Sequence, residues 1–176
     1  DPAHETAIAQ LAKGLPVRFD GGRVYLGNED VTDAIRTEEA GMNASRVSAL
    51  PSVRTALVDL QHGFQRLPGL VADGRDMGTV IFPDAPLKVF LTASAACRAE
   101  RRYKQLISKG FQANIDDLRA DLEARDARDS SRSVAPLKPA QDALVLDNST
   151  LTIEQAVNQV MNWWLERQPF AAPAQG

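Results

Sequence analysis

Two short runs of charged residues carry the side chains of this sequence that are best suited to chemistry. The first, residues 73–78 (DGRDMG), holds two carboxylates and one guanidinium among glycines, and it directly follows an apolar run. In open α/β sheets, ligands bind beyond the carboxyl ends of strands. A loop of this composition can bind a metal ion, hydroxyl groups or a phosphate. The alternative is a turn with a structural ion pair, because Gly and Asp are also ordinary turn residues.

The second run, residues 125–132 (RDARDSSR), continues a predicted helix whose inward side is apolar around Leu118. At about 100° per residue, three charged residues fall within about 40° of the line through Leu118: Arg125, Asp129 and Arg132. Charged groups that face inward must be paired or must meet a polar ligand. A ligand-facing role and a simple Arg125–Asp129 pair are both open, and Arg128 lies off this line.

The basic residues are mostly arginines. There are 15 Arg against five Lys, and seven of the arginines lie between residues 98 and 132. Arginine presents a planar fork of donors that suits phosphate and carboxylate groups. The net charge is −3 and the pI is about 5.4, whereas proteins that bind nucleic-acid polymers usually carry a basic balance. The clustering therefore indicates a small phosphorylated ligand.

Length and composition bound the class of protein. The 176 residues, 44% hydrophobic and 24% charged, are typical of one globular domain. No apolar run approaches the roughly 20 residues of a membrane span, and the start shows no secretory pattern. A single cysteine, Cys97, excludes an internal disulfide and, with only two histidines, argues against structural zinc. These features predict a cytoplasmic protein.

Other polar residues give weaker signals. Arg98 and Arg101 point away from the apolar stripe of their predicted helix, and Arg102 lies on its flank. We expect a solvated face there, unless a nucleotide approaches from that side. Ser45 and Arg54 carry little signal by themselves.

The first part of the chain predicts a hairpin followed by helices. Helical spacing runs over residues 5–13. Residues 17–20 and 23–26 flank a Gly-Gly turn, a pattern typical of a β-hairpin, and residues 27–30 are predicted to form another turn. Pro51 suits the first turn of a helix, and an apolar stripe follows it.

The second part alternates predicted strands and helices. Short apolar runs at residues 70–72, 87–92 and 143–146 predict strands. Three residues resemble caps of the helices that follow them: Ser94, Asn114 and Thr152. The last helix is expected to bury one face, made of Ile153, Ala156, Val157, Val160, Met161 and Trp164. Strands that alternate with helices imply a parallel α/β sheet.

Several runs together resemble one family. Residues 73–85 (DGRDMGTVIFPDA) and 123–132 (EARDARDSSR), followed by APL at 135–137 and ALVLD at 143–147, closely resemble bacterial cytidylate kinases. The order and spacing agree from about residue 15 to residue 164. The combination is far more specific than any one of its motifs.

The resemblance implies transfer of the γ-phosphoryl group of ATP, with Mg²⁺, to CMP or dCMP, which gives CDP or dCDP and ADP. The implied fold is an α/β nucleoside monophosphate kinase sheet of the P-loop type, with flanking helices, a lid and an enlarged monophosphate-binding insert. We expect the insert at residues 16–67, the core at 68–111 and 133–168, the lid at 112–132 and a loose tail at 169–176.

By the same resemblance, three residues read the cytosine: Ser45, Arg54 and Asp76. Cytosine offers an N4 amino donor, which needs acceptors such as Asp76 and Ser45, and it offers O2 and N3 acceptors, which suit Arg54. Uracil carries N3–H and O4 instead, so the same groups would be mispaired. Buried polar groups left without partners discriminate strongly between such ligands.

The resemblance assigns the rest of the nucleotides mainly to arginines. Arg125 and Asp129 would hold the ribose hydroxyls, and Arg75 and Arg132 the CMP phosphate. Two further arginines would face the ATP phosphates: Arg102 and Arg128. Asp73 is the carboxylate expected near magnesium, through water. Phosphoryl transfer depends on positioning and charge neutralisation. The expected catalytic residues are therefore Asp73, Arg75, Arg125, Arg128 and Arg132.

The family also begins with a strand and a Gly-rich phosphate loop that ends in Gly-Lys-[Ser/Thr], and residues 1–176 contain no such run. We therefore expect this first strand and phosphate loop to be absent from the chain. In the family that strand lies between the strands expected at 70–72 and 87–92, so its loss would leave two strand edges open. We expect the 176 residues alone not to turn over ATP. Normal turnover in a coupled assay with CMP would contradict this.

Two other functions are compatible with the residues. One is a kinase for another monophosphate such as UMP, which relative rates with CMP, dCMP and UMP distinguish. The other is a catalytically inactive nucleotide-binding fragment. The expected partners are small nucleotides, with no nucleic-acid polymer and no membrane, and the complete protein is expected to be a monomer.

Overall fold

The computed structural model describes residues 4–169 and divides the chain into two compact units. The first is formed by the residues up to Ala72 together with Arg132–Val134, and the second by Asp73–Ser131 and the residues from Ala135 onward. The chain thus leaves the second unit, contributes a short segment to the first and returns. The functional division into insert, core and lid stays a prediction. Of the expected tail, only residue 169 is described.

The first unit contains three helices and a 3₁₀ turn: α1 (Glu5–Lys13), the 3₁₀ turn (Ala34–Arg36), α2 (Glu38–Val47) and α3 (Pro51–His62). Helices α1 and α3 pack against each other, and Ala12 and Val53 are buried. Pro51 occupies the first turn of α3, as predicted. Thr37 caps α2, because its hydroxyl accepts a hydrogen bond from the Ala40 N–H at 3.2 Å.

The predicted β-hairpin is confirmed. Strands β1 (Val17–Asp20) and β2 (Arg23–Leu26) pair antiparallel. Gly21 and Gly22 connect them with φ of 55° and 77°. Residues with side chains rarely adopt such positive φ values, so the turn favours glycine.

The prediction of a turn over residues 27–30 is wrong for residues 29 and 30. Strand β3 (Glu29–Asp30) pairs antiparallel with β2, so only two residues reverse the chain. Across the strands, Arg23 donates a hydrogen bond from Nη1 to Asp30 at 2.7 Å, which favours the extended pairing. Hydrogen bonds from the Thr32 hydroxyl and N–H, and then from Arg23, lower the pKa of Asp30 to about 2.

Glu5, at the start of α1, caps the N-terminus of α3 from outside that helix. Its Oε1 accepts hydrogen bonds from the Ser52 hydroxyl at 2.6 Å and from the Ser52 N–H at 3.1 Å. The N-cap residue itself, Leu50, provides no side-chain acceptor. The hydrogen bonds from the hydroxyl and the N–H of Ser52 hold the pKa of Glu5 below its ordinary value of 4.5.

We expect Glu5→Gln to lower the free energy of unfolding slightly at neutral pH, because a charged carboxylate is the stronger acceptor at a helix N-terminus. Since the folded pKa of Glu5 is lowered, its contribution is present above the unfolded pKa and is lost as the pH falls through the folded pKa. Urea unfolding at neutral pH and in acid measures this. Glu39→Gln, at an exposed position in the first turn of α2, is the control. If Glu5→Gln lowered the free energy of unfolding equally at both pH values, the capping role of the charged carboxylate would be contradicted.

The second unit contains a parallel sheet and three long helices: β4 (Val89–Thr92), α4 (Ala95–Ser108), α5 (Ile115–Ser131), β5 (Leu144–Asp147) and α6 (Ile153–Arg167). Strands β4 and β5 pair in parallel, with Val89 opposite Leu144. Helices α4 and α5 pack together, and Ala99 and Leu118 are buried on them. The predicted α/β class with parallel strands joined by helices is confirmed.

The predicted starts of these helices are confirmed by their caps. Ser94 accepts a hydrogen bond from the N–H of Cys97 at 3.2 Å. Asn114 accepts hydrogen bonds from two N–H groups in the first turn of α5. Thr152 forms a reciprocal capping box with Gln155. Each side chain satisfies donors that a helix terminus leaves open, and this explains why the sequence indicates these boundaries.

The strand expected at residues 70–72 is not formed. This segment is irregular, and Val71 is 100% exposed. A strand needs a neighbour for its N–H and C=O groups, and in the described part of the chain β4 pairs with β5 alone. The run at 73–78 therefore follows an irregular segment rather than a strand.

The prediction of a buried face on α6 is wrong for three of the residues assigned to that face. Ile153, Val157 and Met161 are 87%, 53% and 49% exposed, while Val160 and Trp164 are half-buried. Helical spacing predicts which side chains share a face, but burial also requires an element packed over them. No described element covers these three side chains.

The longest helix, α5, has 17 residues, and many of them are charged. Within residues 4–169, none of the helices combines the length and the apolar character needed to cross a membrane.

Candidate functional site

Asp129 on α5 is the most deeply buried charged residue of the described chain, at 1% exposure. Arg75 donates a hydrogen bond from Nε to Oδ2 of Asp129, and Nε of Arg125 lies 3.8 Å from the same oxygen. The expected inward direction is thus confirmed for Asp129. The Arg125–Asp129 pair exists, but Arg75 lies closer to the carboxylate. Two guanidiniums around one carboxylate leave one net positive charge, which suits an anionic ligand.

The backbone at Asp129 is also fixed. Its carbonyl oxygen accepts a hydrogen bond from the N–H of Leu137 at 2.8 Å. The returning chain makes a sharp turn just before this contact, where Ala135 has a φ of 47°. The contact ties the segment after α5 to the residue at the centre of the charged cluster.

Asp76 precedes a π-helix, which sequence patterns do not reveal. The π-helix spans Met77–Ile81, and the Asp76 carbonyl accepts hydrogen bonds from the N–H groups of Thr79, Val80 and Ile81 at 3.3, 2.9 and 3.3 Å. Asp76 is 7% exposed. Helices of this type are rare and are frequent at functional sites. The π-helix fixes the backbone from which the Asp76 carboxyl extends.

Lys88 supports this segment, and the sequence analysis missed it. A Cβ at Gly78 would lie 3.2 Å from Cγ and Cδ of Lys88, so the glycine allows close approach. Nζ of Lys88 donates to the Pro83 carbonyl and, at 3.0 Å, to Asp142. This hydrogen bond is the main cause that lowers the pKa of Asp142. The signal available in the sequence was a single lysine inside the apolar run 87–92.

Arg98 on α4 was expected on a solvated face, and that expectation is wrong. Its Nη1 donates to Oδ1 of Asp126 at 3.1 Å, its Nη2 donates to Oδ2, and its Nε donates to the Ala93 carbonyl at 3.2 Å. The two side chains are 31% and 33% exposed. The packing of α4 on α5 brings Asp126 against Arg98, which the spacing within α4 alone does not show.

The neighbouring arginines have other contacts. Arg101 is exposed, as expected, and donates to Oδ1 of Asn148 at 2.9 Å. Arg102 is half-buried and donates to Oε1 of Gln105, one turn along α4, at 2.8 Å. Arg128 is half-buried on α5.

Asp73, the expected magnesium residue, is exposed and forms no side-chain ion pair with another described residue. No cluster of three or more His, Cys, Asp or Glu side chains occurs in residues 4–169. Magnesium usually takes one or two carboxylates and completes its shell with water and substrate phosphates. An exposed single carboxylate therefore fits that ion.

The first unit holds a second polar group around Ser48, which the sequence analysis also missed. Arg132 donates from Nη1 to Oγ of Ser48 at 3.1 Å, and Arg54 donates from Nη1 to the Ser48 carbonyl at 3.1 Å. The Ser48 hydroxyl donates to the carbonyl of Ser45 at 3.0 Å, and Ser45 is 4% exposed. The signal for Ser48 in the sequence was its position three residues after Ser45, which places the two on the same side of a helix.

The structure thus brings six of the predicted residues together in two groups, and Asp73, Asp76, Arg102 and Arg128 lie in neither. Ser45, Arg54 and Arg132 meet around Ser48 in the first unit, which we call the serine group. Arg75, Arg125 and Asp129 meet in the second unit, which we call the arginine–aspartate group. Each joins arginines to residues far away in the sequence, so neither is a local turn.

Comparisons with known proteins agree on one family. The cytidylate kinase family model matches residues 1–165. The cytidylate kinase of Cupriavidus necator is 58% identical over 171 residues, which cover 97% of this chain and 77% of the relative. The cytidylate kinase of Bordetella bronchiseptica is 59% identical over 160 residues, which cover 91% and 72%. The cytidylate kinase of Cupriavidus pinatubonensis is 60% identical over 157 residues, which cover 89% and 71%. The matched range includes every residue of both groups.

Proposed function

Because the chain belongs to the cytidylate kinase family, we propose that its two polar groups bind the substrates of an ATP-dependent nucleoside monophosphate kinase. The reaction is transfer of the γ-phosphoryl group of ATP to CMP, and dCMP is the further acceptor that we propose. The observation that carries the assignment of residues is the buried Asp129 carboxylate between Arg75 and Arg125.

The arginine–aspartate group is suited to the sugar and phosphate of CMP. We assign the CMP phosphate to Arg75, since its side chain stays 35% exposed beside the contact with Asp129 and a guanidinium can bind a second anionic group. We assign the ribose hydroxyls to Arg125 and Asp129, because a carboxylate accepts from a hydroxyl and a guanidinium donates to it. The net positive charge of the group supports this assignment.

The serine group and Asp76 are assigned to the rest of CMP. Asp76 and Ser45 accept from the N4 amino group of cytosine, Arg54 donates to its O2 and N3, and Arg132 binds the phosphate. The burial of Asp76 and Ser45, 7% and 4% exposed, supports a discriminating role. Buried polar groups reject a ligand that leaves them unpaired.

Arg102 and Arg128 are assigned to the ATP phosphates. Asp73 would hold magnesium through water, and the ion, when bound, neutralises charge on the phosphates. In the transfer, a CMP phosphate oxygen forms a bond to the γ-phosphorus, the bond to the β-phosphate oxygen breaks, and ADP leaves. The arginines bind and align the two phosphates and offset their negative charge. The cytoplasmic location and the monomeric state stay predictions from the sequence.

A coupled assay that follows ADP formation tests the function with CMP, dCMP, UMP and AMP as acceptors. Because the 176 residues alone are expected not to turn over ATP, the assay uses a protein in which the family's N-terminal strand and phosphate loop are joined ahead of residue 1. We expect high rates with CMP and dCMP and much lower rates with UMP and AMP. Equal rates with CMP and UMP would contradict the proposed reading of cytosine. A higher rate with UMP would support the alternative substrate.

A further inference from the structure

We propose that Arg98 is a positioning residue of the nucleotide site. Its ion pair with Asp126 fixes the rotation of α5 and thereby places Arg125 and Asp129. Neither Arg98 nor Asp126 is among the residues assigned to substrate above. The inference rests on the proposed function, because it concerns how the ribose-binding residues are held.

The guanidinium of Arg98 is held at three points. Two of its nitrogens meet the two oxygens of Asp126, and the third donates to the Ala93 carbonyl at 3.2 Å. Ala93 directly follows the last residue of β4. The fork therefore joins the carboxyl end of a sheet strand to a side chain on α5, and its planarity restricts the direction in which Asp126 can lie.

A fixed Asp126 sets the direction of its neighbours because α5 is one continuous helix. At about 100° per residue, Asp129 lies about 60° around the helix from Asp126 and Arg125 lies about 100° from it. Rotation of α5 would move Asp129 away from Arg75 and would turn Arg125 by the same angle. Ala99 and Leu118 are buried on the two packed helices, and the bidentate pair adds a directional constraint that non-directional apolar contacts do not supply.

The test uses Arg98→Met, Asp126→Asn and the double variant in the full chain. Titration calorimetry measures the Kd of CMP and of dCMP, and thermal unfolding gives the melting temperature of each variant. We expect each single variant to raise the Kd of CMP about tenfold. The double variant should have the same raised Kd, because all three variants remove the same contact. The Kd of dCMP should rise less, since it lacks one of the hydroxyls assigned to Arg125 and Asp129.

Arg119→Met is the matched control, because Arg119 forms an exposed pair with Glu123 on the same helix. It should leave both Kd values unchanged. The inference is overturned if Arg98→Met lowers only the melting temperature. It is also overturned if the Kd values of CMP and dCMP rise equally, or if the effects of the single variants on Kd add in the double variant. If the unmodified protein binds neither CMP nor dCMP, the proposed function fails instead, so the two failures are distinguishable.

Discussion

Asp129→Ala is expected to lower kcat/KM for CMP about 100-fold and to reduce the free energy of unfolding by about 3–5 kcal/mol. The carboxylate is 1% exposed and is shared by Arg75 and Arg125. Without it, two half-buried guanidiniums repel each other, and by the proposed assignment the ribose loses its acceptor. Initial-rate kinetics of a protein that carries the family's phosphate loop ahead of residue 1 measure the first effect. Urea unfolding of the 176 residues measures the second.

The control for this variant is Glu123→Ala on the same helix. Glu123 is 53% exposed and pairs with Arg119, which is 57% exposed. Exposed pairs of this kind contribute about 0–1 kcal/mol, so little change is expected in stability and none in kinetics. A folded Asp129→Ala protein with a normal KM for CMP would show that the buried cluster is structural only.

Asp76→Ala is expected to lower the ratio of kcat/KM for CMP to that for UMP by about 100-fold. By the proposed assignment, cytosine would lose the acceptor of its N4 amino group. Uracil would gain, since its O4 lone pairs would no longer face a carboxylate. Competition between CMP and UMP in a single reaction, with the same phosphate-loop-bearing protein, measures the ratio directly.

The control for selectivity is Asp84→Ala, which removes an exposed carboxylate shortly after the π-helix. It changes the net charge equally and should leave the CMP preference intact. If selectivity is unchanged in Asp76→Ala, Asp76 has no role in reading the base.

Features set by neighbouring residues could be predicted from the sequence. The Gly21–Gly22 turn favours the hairpin because glycine adopts its positive φ values without steric cost. The helix starts follow from side chains that bond N–H groups within the same turn, as at Ser94 and Thr152. The inward position of Asp129 follows from helical geometry, which Leu118 already defines.

Features that depend on distant partners could not be predicted in this way. Apolar character at residues 70–72 does not supply the neighbouring strand that pairing requires. The spacing of Arg98 within α4 does not show that Asp126, 28 residues later, lies against it. The π-helix after Asp76 depends on one extra residue per turn, for which the amino-acid pattern carries no marker.

The return of Arg132–Val134 to the first unit has a consequence for protein engineering. The hairpin and its helices could be exchanged between related enzymes as a cassette, and the C-terminal junction of the cassette would normally be placed around residue 72. Such a chimera would combine Ser48 of one parent with Arg132 of the other, although the two are hydrogen-bonded at 3.1 Å. A working graft therefore needs a second donor segment, inserted just after α5. Recombination libraries with a single crossover between residues 72 and 132 would separate Ser48 from Arg132, although the two residues contact each other.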